Sequence, residues 1–122
     1  MGISVLEALD TDEKIDITTI GRRSGQPRRI EIWFKRVNQR TYITGTPRRR
    51  DWYANMLANA HFTFHLKQSI QVDLPARARP VLDEAERRLI LADPVMAYYH
   101  SQVNSLDDLV TGSPLVEVLF EA

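Results

Sequence analysis

The chain has 122 residues, of which 43% are hydrophobic and 26% are charged, and its formal net charge is zero. This length and composition are typical of one globular domain spanning residues 1–122, and they exclude an intrinsically disordered chain. The absence of cysteine excludes a disulfide scaffold, an iron–sulfur cluster, thiolate-bound zinc and a cysteine nucleophile. Because no apolar run approaches the ~20 residues of a membrane span and residues 1–12 do not resemble a signal peptide, we expect a cytoplasmic protein.

Positive charge is concentrated in about a third of the chain. Residues 14–50 contain eleven Lys or Arg and two acids, a charge of +9, whereas residues 1–13 carry −4 and residues 51–122 carry −5. A field of this kind attracts anions. An arginine-rich stretch can also be a solvated face, but here the arginines cluster beside turn signals, which favours an anion-binding site.

The beginning of the chain predicts a short helix, a strand and a turn. Residues 6–13 fit a helical lead-in, and the β-branched residues 14–20 predict a strand. Two glycines and a proline then predict a turn at residues 21–27.

A strongly alternating segment follows this turn. Residues 28–37 alternate, with one face formed by Ile30, Ile32 and Phe34 and the other by Arg29, Glu31, Trp33 and Lys35. Residues 38–40 predict a tight connection to a strand at 41–46. The segment 28–46 is therefore predicted to be a β-hairpin.

The middle of the chain predicts a helix and two further strands. Asp51 can cap a helix that runs to residue 59, because its carboxylate can accept hydrogen bonds from free backbone N–H groups. Alternation predicts one strand at residues 62–67 and another at 70–74, which Pro75 limits or bends.

The last third of the chain predicts helices before a final strand. Residues 76–82 are extended, and an acidic pair at capping spacing begins a helix at 83–92. A second helical piece at 95–103 is followed by a polar loop and a strand at 115–120.

These elements predict an α+β fold. It has about six mostly antiparallel strands, one helix inserted after the hairpin and a helical pair before the C-terminal strand. Short antiparallel strands in a small domain remove exposed edges by curling into a barrel, so we expect a small barrel that the last strand helps to close.

Two segments contain the residue types of an anion site. The turn at residues 21–26 combines glycines, which let the backbone approach a ligand, with arginines, which bind oxyanions through paired donors. Residues 44–53 lead from a strand end to a helix start, where free N–H groups favour anions, and place three arginines beside two aromatics. The alternatives are a solvated turn for the first segment and, for the second, a Trp52 that only anchors the helix in the core.

Other constellations carry less chemistry. Trp33 can wall a pocket for a planar group or pack under a helix. His61 and His65 have metal-ligand spacing only on a helix, and in a strand they lie ~13 Å apart, so we expect no metal site. The chain contains no nucleophile-elbow, Walker or dinucleotide-binding motif.

Three segments resemble one enzyme family. The sequence TTIGRRSGQPR at residues 18–28 resembles the opening signature of the deazaflavin (F420)-dependent nitroreductase and quinone reductase family. DWYANMLAN at 51–59 is similar to that family's Trp-Tyr-x-Asn-Leu helix, and SPLVEVLFEA at 113–122 to its terminal strand. The resemblance implies a split β-barrel that binds coenzyme F420, as distinct from FMN, and transfers a hydride to a quinone, nitro compound or conjugated ketone.

The resemblance also implies which residues form the site. The arginine-rich turn lies near the phosphate and acidic tail of the coenzyme, and the helix start flanks it. The expected coenzyme-binding residues are Arg22, Arg23, Ser24, Gln26, Arg28, Ile30, Ile32, Trp33, Thr44, Gly45, Thr46, Arg48, Arg49, Asp51, Trp52, Tyr53 and Asn55. Tyr53 is the expected proton donor, although Tyr98 or Tyr99 can serve equally.

Three other functions stay open at this point. They are an FMN-binding split barrel, an apolar-ligand carrier without catalysis, and a basic face that binds single-stranded nucleic acid. Aromatic residues make up only 8% of the chain, and they are not interleaved with the basic strand positions, which argues against nucleic acid. We therefore expect a small-molecule electron acceptor as partner, no nucleic acid, no membrane span, and a monomer or homodimer.

Overall fold

The computed structural model describes residues 3–121. The helices are α1 (Val5–Thr11), α2 (Asp51–Ala58), α3 (Glu84–Leu91), a 3-10 turn (Pro94–Met96), α4 (Ala97–Ser101) and α5 (Leu106–Gly112). The strands are β1 (Lys14–Ile20), β2 (Pro27–Trp33), β3 (Lys35–Val37), β4 (Arg40–Thr44), β5 (His61–Leu66), β6 (Val72–Pro80) and β7 (Leu115–Phe120). Met1, Gly2 and Ala122, which belong to the predicted domain, lie outside the described residues.

The strands form one antiparallel sheet in the order β2-β1-β5-β6-β7-β4-β3. β2 and β3 lie at opposite ends of this sheet, yet only Phe34 separates them in the chain. Since one residue cannot span a flat seven-stranded sheet, the sheet must curl until its two ends meet. The predicted α+β barrel is thus confirmed, with seven strands instead of six, and β7 lies between β6 and β4 as its closing role requires.

Phe34 occupies the point where the two ends of the sheet meet. Its ring is 2% exposed and packs edge-on against Phe64, with ring centroids 5.3 Å apart. Its backbone N–H donates to the carbonyl oxygen of Glu13 at 3.1 Å. The residue between the end strands therefore also anchors them in the core.

The predicted hairpin over residues 28–46 is wrong in its first strand. Of the predicted first strand, the longer part, β2, pairs with β1, and the short part, β3, pairs with β4. The tight connection is where it was predicted, at Asn38 and Gln39, whose φ values of 51° and 65° match a two-residue hairpin turn. The alternation runs unbroken through Phe34, so the pattern does not reveal that the partner strand changes there.

One long strand replaces two predicted ones. β6 runs through Pro75 without a break, whereas the sequence predicted separate extended pieces at 70–74 and 76–82. Pro75 lies where β6 begins to pair with β7: its carbonyl accepts from the N–H of Glu121 at 3.0 Å, and the paired register starts at Ala76. The strand therefore gains its second partner at the proline.

A third helical piece lies before the last strand. α3 begins where the acidic pair predicts it, with its cap in place, but α5 occupies the segment that was predicted to be a polar loop. The Ser105 hydroxyl caps α5 by accepting from the N–H of Asp108, and Leu109 and Val110 on this helix are buried. The serine and the acid three residues later are a capping signal that the sequence analysis missed.

The core leaves one strand uncovered. Ile15 and Ile17 on β1 are fully buried, and their register partners on β2 are Ile32 and Ile30. Opposite residues of an antiparallel pair share a face, yet Ile30 is 39% exposed. The inner face of β2 is therefore open and available to a ligand. Within residues 3–121 no helix is long and apolar enough to cross a membrane.

Phe34→Ala is expected to lower the free energy of unfolding by about 3–5 kcal/mol, because it leaves a cavity where the two ends of the sheet meet. Urea denaturation measures this change. Leu89→Ala is the control, since Leu89 is 78% exposed and its loss should change stability by less than about 0.5 kcal/mol. Similar losses in both variants would contradict the closing role of Phe34.

Candidate functional site

An open cleft of about 840 Å³ lies between β2, the turn after β1 and the start of α2. This volume is in the range of small-molecule sites. The lining residues are Thr19, Gly21, Arg22, Arg23, Ser24, Arg28, Ile30, Glu31, Ile32, Arg48, Arg49, Arg50, Asp51, Trp52 and Asn55.

The cleft carries an excess of positive charge. Six arginines line it against two acids, and both acids already have basic partners. Glu31 pairs with Lys67, whose Nζ also lies 2.6 Å from Asp16 and holds the pKa of that carboxyl below its usual value. Asp51 lies 3.5 Å from the Nη2 of Arg22. The remaining arginines are therefore free to neutralise an anionic ligand.

Asn55 connects three elements at the floor of the cleft. It is 4% exposed, and its Oδ1 accepts from the backbone N–H of Arg22 at 3.1 Å and from the Nη1 of Arg22 at 3.0 Å. Its Nδ2 donates to the Oγ1 of Thr19 at 3.2 Å. An amide is suited to this position because it both accepts and donates. Asn55 thus fixes the end of β1, the turn and the Arg22 guanidinium relative to α2.

The turn after β1 is held by its own hydrogen bonds. The N–H of Gly21 donates to the carbonyl of Gln26, and the N–H of Gly25 donates to the carbonyl of Gly21, both at 2.9 Å. Gly25 has a φ of +68°, which glycine adopts without strain. The hydroxyl of Ser24 accepts from the N–H of Gln26 at 3.1 Å. Gln26 helps to shape the turn but does not line the cleft.

We call residues 48–50 the arginine segment, and its last residue, Arg50, is fixed by hydrogen bonds to the preceding loop. Arg50 Nη2 donates to the carbonyl and the hydroxyl of Thr46 at 3.1 and 2.9 Å. A Cβ atom on Gly45 would lie 3.0 Å from that Nη2, so the glycine makes room for the guanidinium. Thr44 donates to the carbonyl of Pro114 at 2.6 Å. Gly45 and Thr46 thus support Arg50 from outside the cleft, and the coenzyme contacts expected of Thr44, Gly45 and Thr46 stay predictions.

α2 begins differently from the prediction. Asp51 does not cap the helix: the capping position is Arg50, which makes no side-chain cap bond, and Asp51 is the first helical residue. The Asp51 side chain is 93% exposed. A carboxylate in the first turn still stabilises the helix through a favourable interaction with its dipole. It also places a negative charge beside Arg22.

The two tryptophans lie in different surroundings. Trp52 is 6% exposed, lines the cleft and packs edge-on against Tyr53 at 5.8 Å between ring centroids. Trp33 is 37% exposed and packs against Tyr98 of α4 at 6.1 Å, with the Nζ of Lys35 5.4 Å from its ring centroid. Trp33 was predicted either to line a pocket for a planar group or to pack under a helix, and in the structure it packs against α4.

The cleft brings together most of the predicted site residues. Six of them lie outside it: Gln26, Trp33, Thr44, Gly45, Thr46 and Tyr53. Four lining residues were not among the expected contacts: Thr19, Gly21, Glu31 and Arg50. Gly21 and Arg50 belong to the two segments that the sequence singled out, and Glu31 lies between two expected contacts of β2, Ile30 and Ile32.

The histidines of β5 have carboxylate partners. His65 is buried, with Nδ1 2.7 Å from the Oδ1 of Asp73 and Nε2 2.7 Å from the Oγ1 of Thr18. His61 Nδ1 lies 3.0 Å from Glu121. Within residues 3–121, no group of three His, Cys, Asp or Glu is placed to hold a metal ion.

Comparison with known families gives one match over most of the chain. Residues 2–109 match the family described as F420H2-dependent quinone reductase. No curated protein matches the chain.

Solved structures share the fold. An F420-H2 dependent reductase is 23% identical with a TM-score of 0.58, covering 88% of this chain and 94% of its own. A second protein, described as F420 reductase, is 13% identical with a TM-score of 0.70, covering 100% and 97%. A FAD-binding protein from Mesorhizobium loti is 16% identical with a TM-score of 0.67, covering 98% and 91%. At these identities the likeness shows the split-barrel fold alone.

Asn55→Ala is expected to lower the free energy of unfolding by about 1–3 kcal/mol, because the Arg22 N–H loses its acceptor and the buried Thr19 hydroxyl loses its donor. Amide hydrogen exchange at Arg22 should accelerate as well, since its N–H loses its partner. Asn104→Ala is the matched control, because Asn104 is exposed and lies outside the cleft. Unchanged exchange at Arg22 in the Asn55 variant would contradict the connecting role.

Proposed function

Since the chain belongs to the family of F420H2-dependent quinone reductases, we propose that this deazaflavin-dependent oxidoreductase transfers a hydride from the reduced coenzyme to a small electron-poor acceptor. The acceptor class is a quinone, a nitro compound or a conjugated ketone. The coenzyme is held in the cleft between β2, the turn after β1 and the start of α2.

The observation that carries this proposal is the charge of the cleft. Its six arginines exceed its two acids, and both acids are already paired with basic side chains. A ligand with a phosphate and an acidic tail, which the family resemblance implies, supplies the missing negative charge. Arginine is suited to this role because its paired N–H groups bind phosphate and carboxylate oxygens with two hydrogen bonds.

The two ends of the cleft support different parts of such a ligand. Arg22 and Arg23 would hold the anionic tail, and Asn55 keeps Arg22 in place through two hydrogen bonds. Ile30 and Ile32, on the open face of β2, would flank the flat ring system. Apolar side chains beside a ring exclude water from it.

Trp52 and Tyr53 at the start of α2 would serve the reacting end. When bound, the coenzyme supplies the hydride, and the protein supplies orientation and electrostatics. We propose Tyr53 as the donor of the balancing proton to the acceptor, since it is half-buried beside the arginine segment. Tyr53 lies outside the cleft, as Tyr98 does, but it directly follows Trp52, which lines the cleft. Tyr98 packs against Trp33 instead, and burial raises the pKa of Tyr99, so both are less suited to this role.

Replacing Arg22 and Arg23 together by Ala is expected to weaken F420 binding by about 100-fold or more, because hydrogen bonds between charged groups contribute about 1.5–3 kcal/mol each. Tryptophan fluorescence measures the affinity, and a Trp33→Phe background leaves Trp52 as the reporter. Arg77→Ala is the control, since Arg77 is exposed on β6 and outside the cleft. Unchanged affinity in the double variant would rule out the tail site.

The same titration distinguishes F420 from the alternative ligands. F420, FMN and a single-stranded oligonucleotide are added separately to the unsubstituted protein, and F420 is expected to bind most tightly. Preferential binding of FMN or of the oligonucleotide would overturn the proposed coenzyme.

Tyr53→Phe is expected to lower kcat with menadione by about 100-fold or more while the affinity for F420 changes little, because general-acid groups typically contribute that much. Tyr98→Phe and Tyr99→Phe are assayed in parallel. A larger loss in either of these two variants would assign the proton to that tyrosine and not to Tyr53.

A further inference from the structure

A second pocket, of about 480 Å³, shares the arginine segment with the cleft but is otherwise lined by different residues. These are Tyr53 of α2, Leu82 just before α3, Arg87 within α3, and residues 111–114 at the end of α5. The two sites therefore adjoin one another at the arginine segment.

Four arginines line the second pocket, and none of its lining residues is acidic. Arg48, Arg49, Arg50 and Arg87 form no ion pair with a carboxylate of residues 3–121. Arg88, one residue further along α3, shows the ordinary case, because it pairs with two carboxylates. The absence of acids beside four guanidinium groups leaves their positive charge uncompensated.

Arg87 is the most buried of the four. It is 8% exposed, and its three nitrogens each donate one hydrogen bond to a backbone carbonyl, those of Val110, Val81 and Ser113, at 2.6–2.8 Å. These bonds fix the guanidinium in place but do not neutralise it. Burying a charge is costly unless an opposite charge accompanies it, and burial lowers the pKa of Arg87 accordingly.

Two further lining residues have polar atoms without partners. The Nε of Arg50 and the Oγ of Ser113 are buried and find no hydrogen-bond partner among the residues that the structure describes. Burial, and to a lesser extent repulsion from Arg48, lowers the pKa of Arg50. A bound anion would relieve this repulsion.

We propose that the second pocket binds an oxyanion, the phosphate or carboxylate group of a small organic molecule. Guanidinium groups bind both kinds of oxyanion through paired N–H donors. Leu82, Pro114 and the ring of Tyr53 supply an apolar side for the organic part. This site adjoins the coenzyme site and shares the arginine segment with it. It does not depend on the proposed function, because it can be tested without coenzyme.

The test compares substitutions at two leucines that are exposed to a similar degree. Leu82 is 74% exposed and lines the second pocket, whereas Leu89 is 78% exposed and lines neither it nor the cleft. Leu82→Glu places a carboxylate beside the four arginines, and Leu89→Glu changes the net charge equally elsewhere. Both positions are exposed, so both variants are expected to fold.

Inorganic phosphate, phenyl phosphate and benzoate are titrated separately into the ¹⁵N-labelled protein. In the unsubstituted protein, saturable shifts are expected at Arg87 and at residues 111–113, since Pro114 has no amide N–H. Leu82→Glu should weaken this binding by about tenfold or more, because its carboxylate competes for charge-assisted hydrogen bonds, whereas Leu89→Glu should not. Shifts with phenyl phosphate or benzoate identify which group the pocket accepts.

Three results would overturn the proposal. The first is the absence of saturable shifts at the second pocket with all three probes. The second is that shifts are confined to Arg22 and Arg23, which would assign the anion to the cleft. The third is equal affinity in Leu82→Glu and Leu89→Glu. A failure of F420 to bind would instead contradict the proposed function. It would not affect the anion titrations, which use no coenzyme.

Discussion

The whole architecture depends on the single residue between β2 and β3. Because Phe34 alone joins strands that occupy opposite ends of the sheet, the sheet has to curl until those ends meet. The closure is incomplete: within residues 3–121, β2 pairs only with β1, and its inner face is left uncovered. The constraint that makes the barrel therefore also makes the open wall on which the cleft is built.

The charge of the site is the second consequence of this geometry. Curling brings the turn after β1 to the start of α2, so arginines that are distant in sequence line the same space. Asn55 and Asp51 hold Arg22, but the arginine segment has no carboxylate partner within residues 3–121. A site of this kind is stabilised when an anion binds, because binding to the folded state alone shifts the folding equilibrium toward it. Under the proposed function, anion binding would thus couple coenzyme affinity to stability through the same guanidinium groups.

Local signals in the sequence predicted local structure well. β1, the glycine turn, the capped start of α3 and the α+β class all follow from short-range patterns. What could not be predicted is the exchange of partner strand at Phe34, because alternation records which face a residue occupies and not which strand lies beside it. The helix α5 was missed for a different reason, since its Ser105 cap was present in the sequence and was not used.

For the site residues, too, the sequence pattern indicates the position of a residue in its strand or segment but not which groups it contacts. Alternation places Glu31 and Trp33 on the face of β2 opposite Ile30 and Ile32. Glu31 nevertheless lines the cleft with both isoleucines, whereas Trp33 packs against Tyr98. Thr46 and Gly45 belong to a segment whose composition predicts an anion site, and their part in it is to hold Arg50 and to make room for it. A motif marks the positions that a site requires. Whether a given position touches the ligand or supports a residue that does is decided by tertiary packing, which one sequence does not contain.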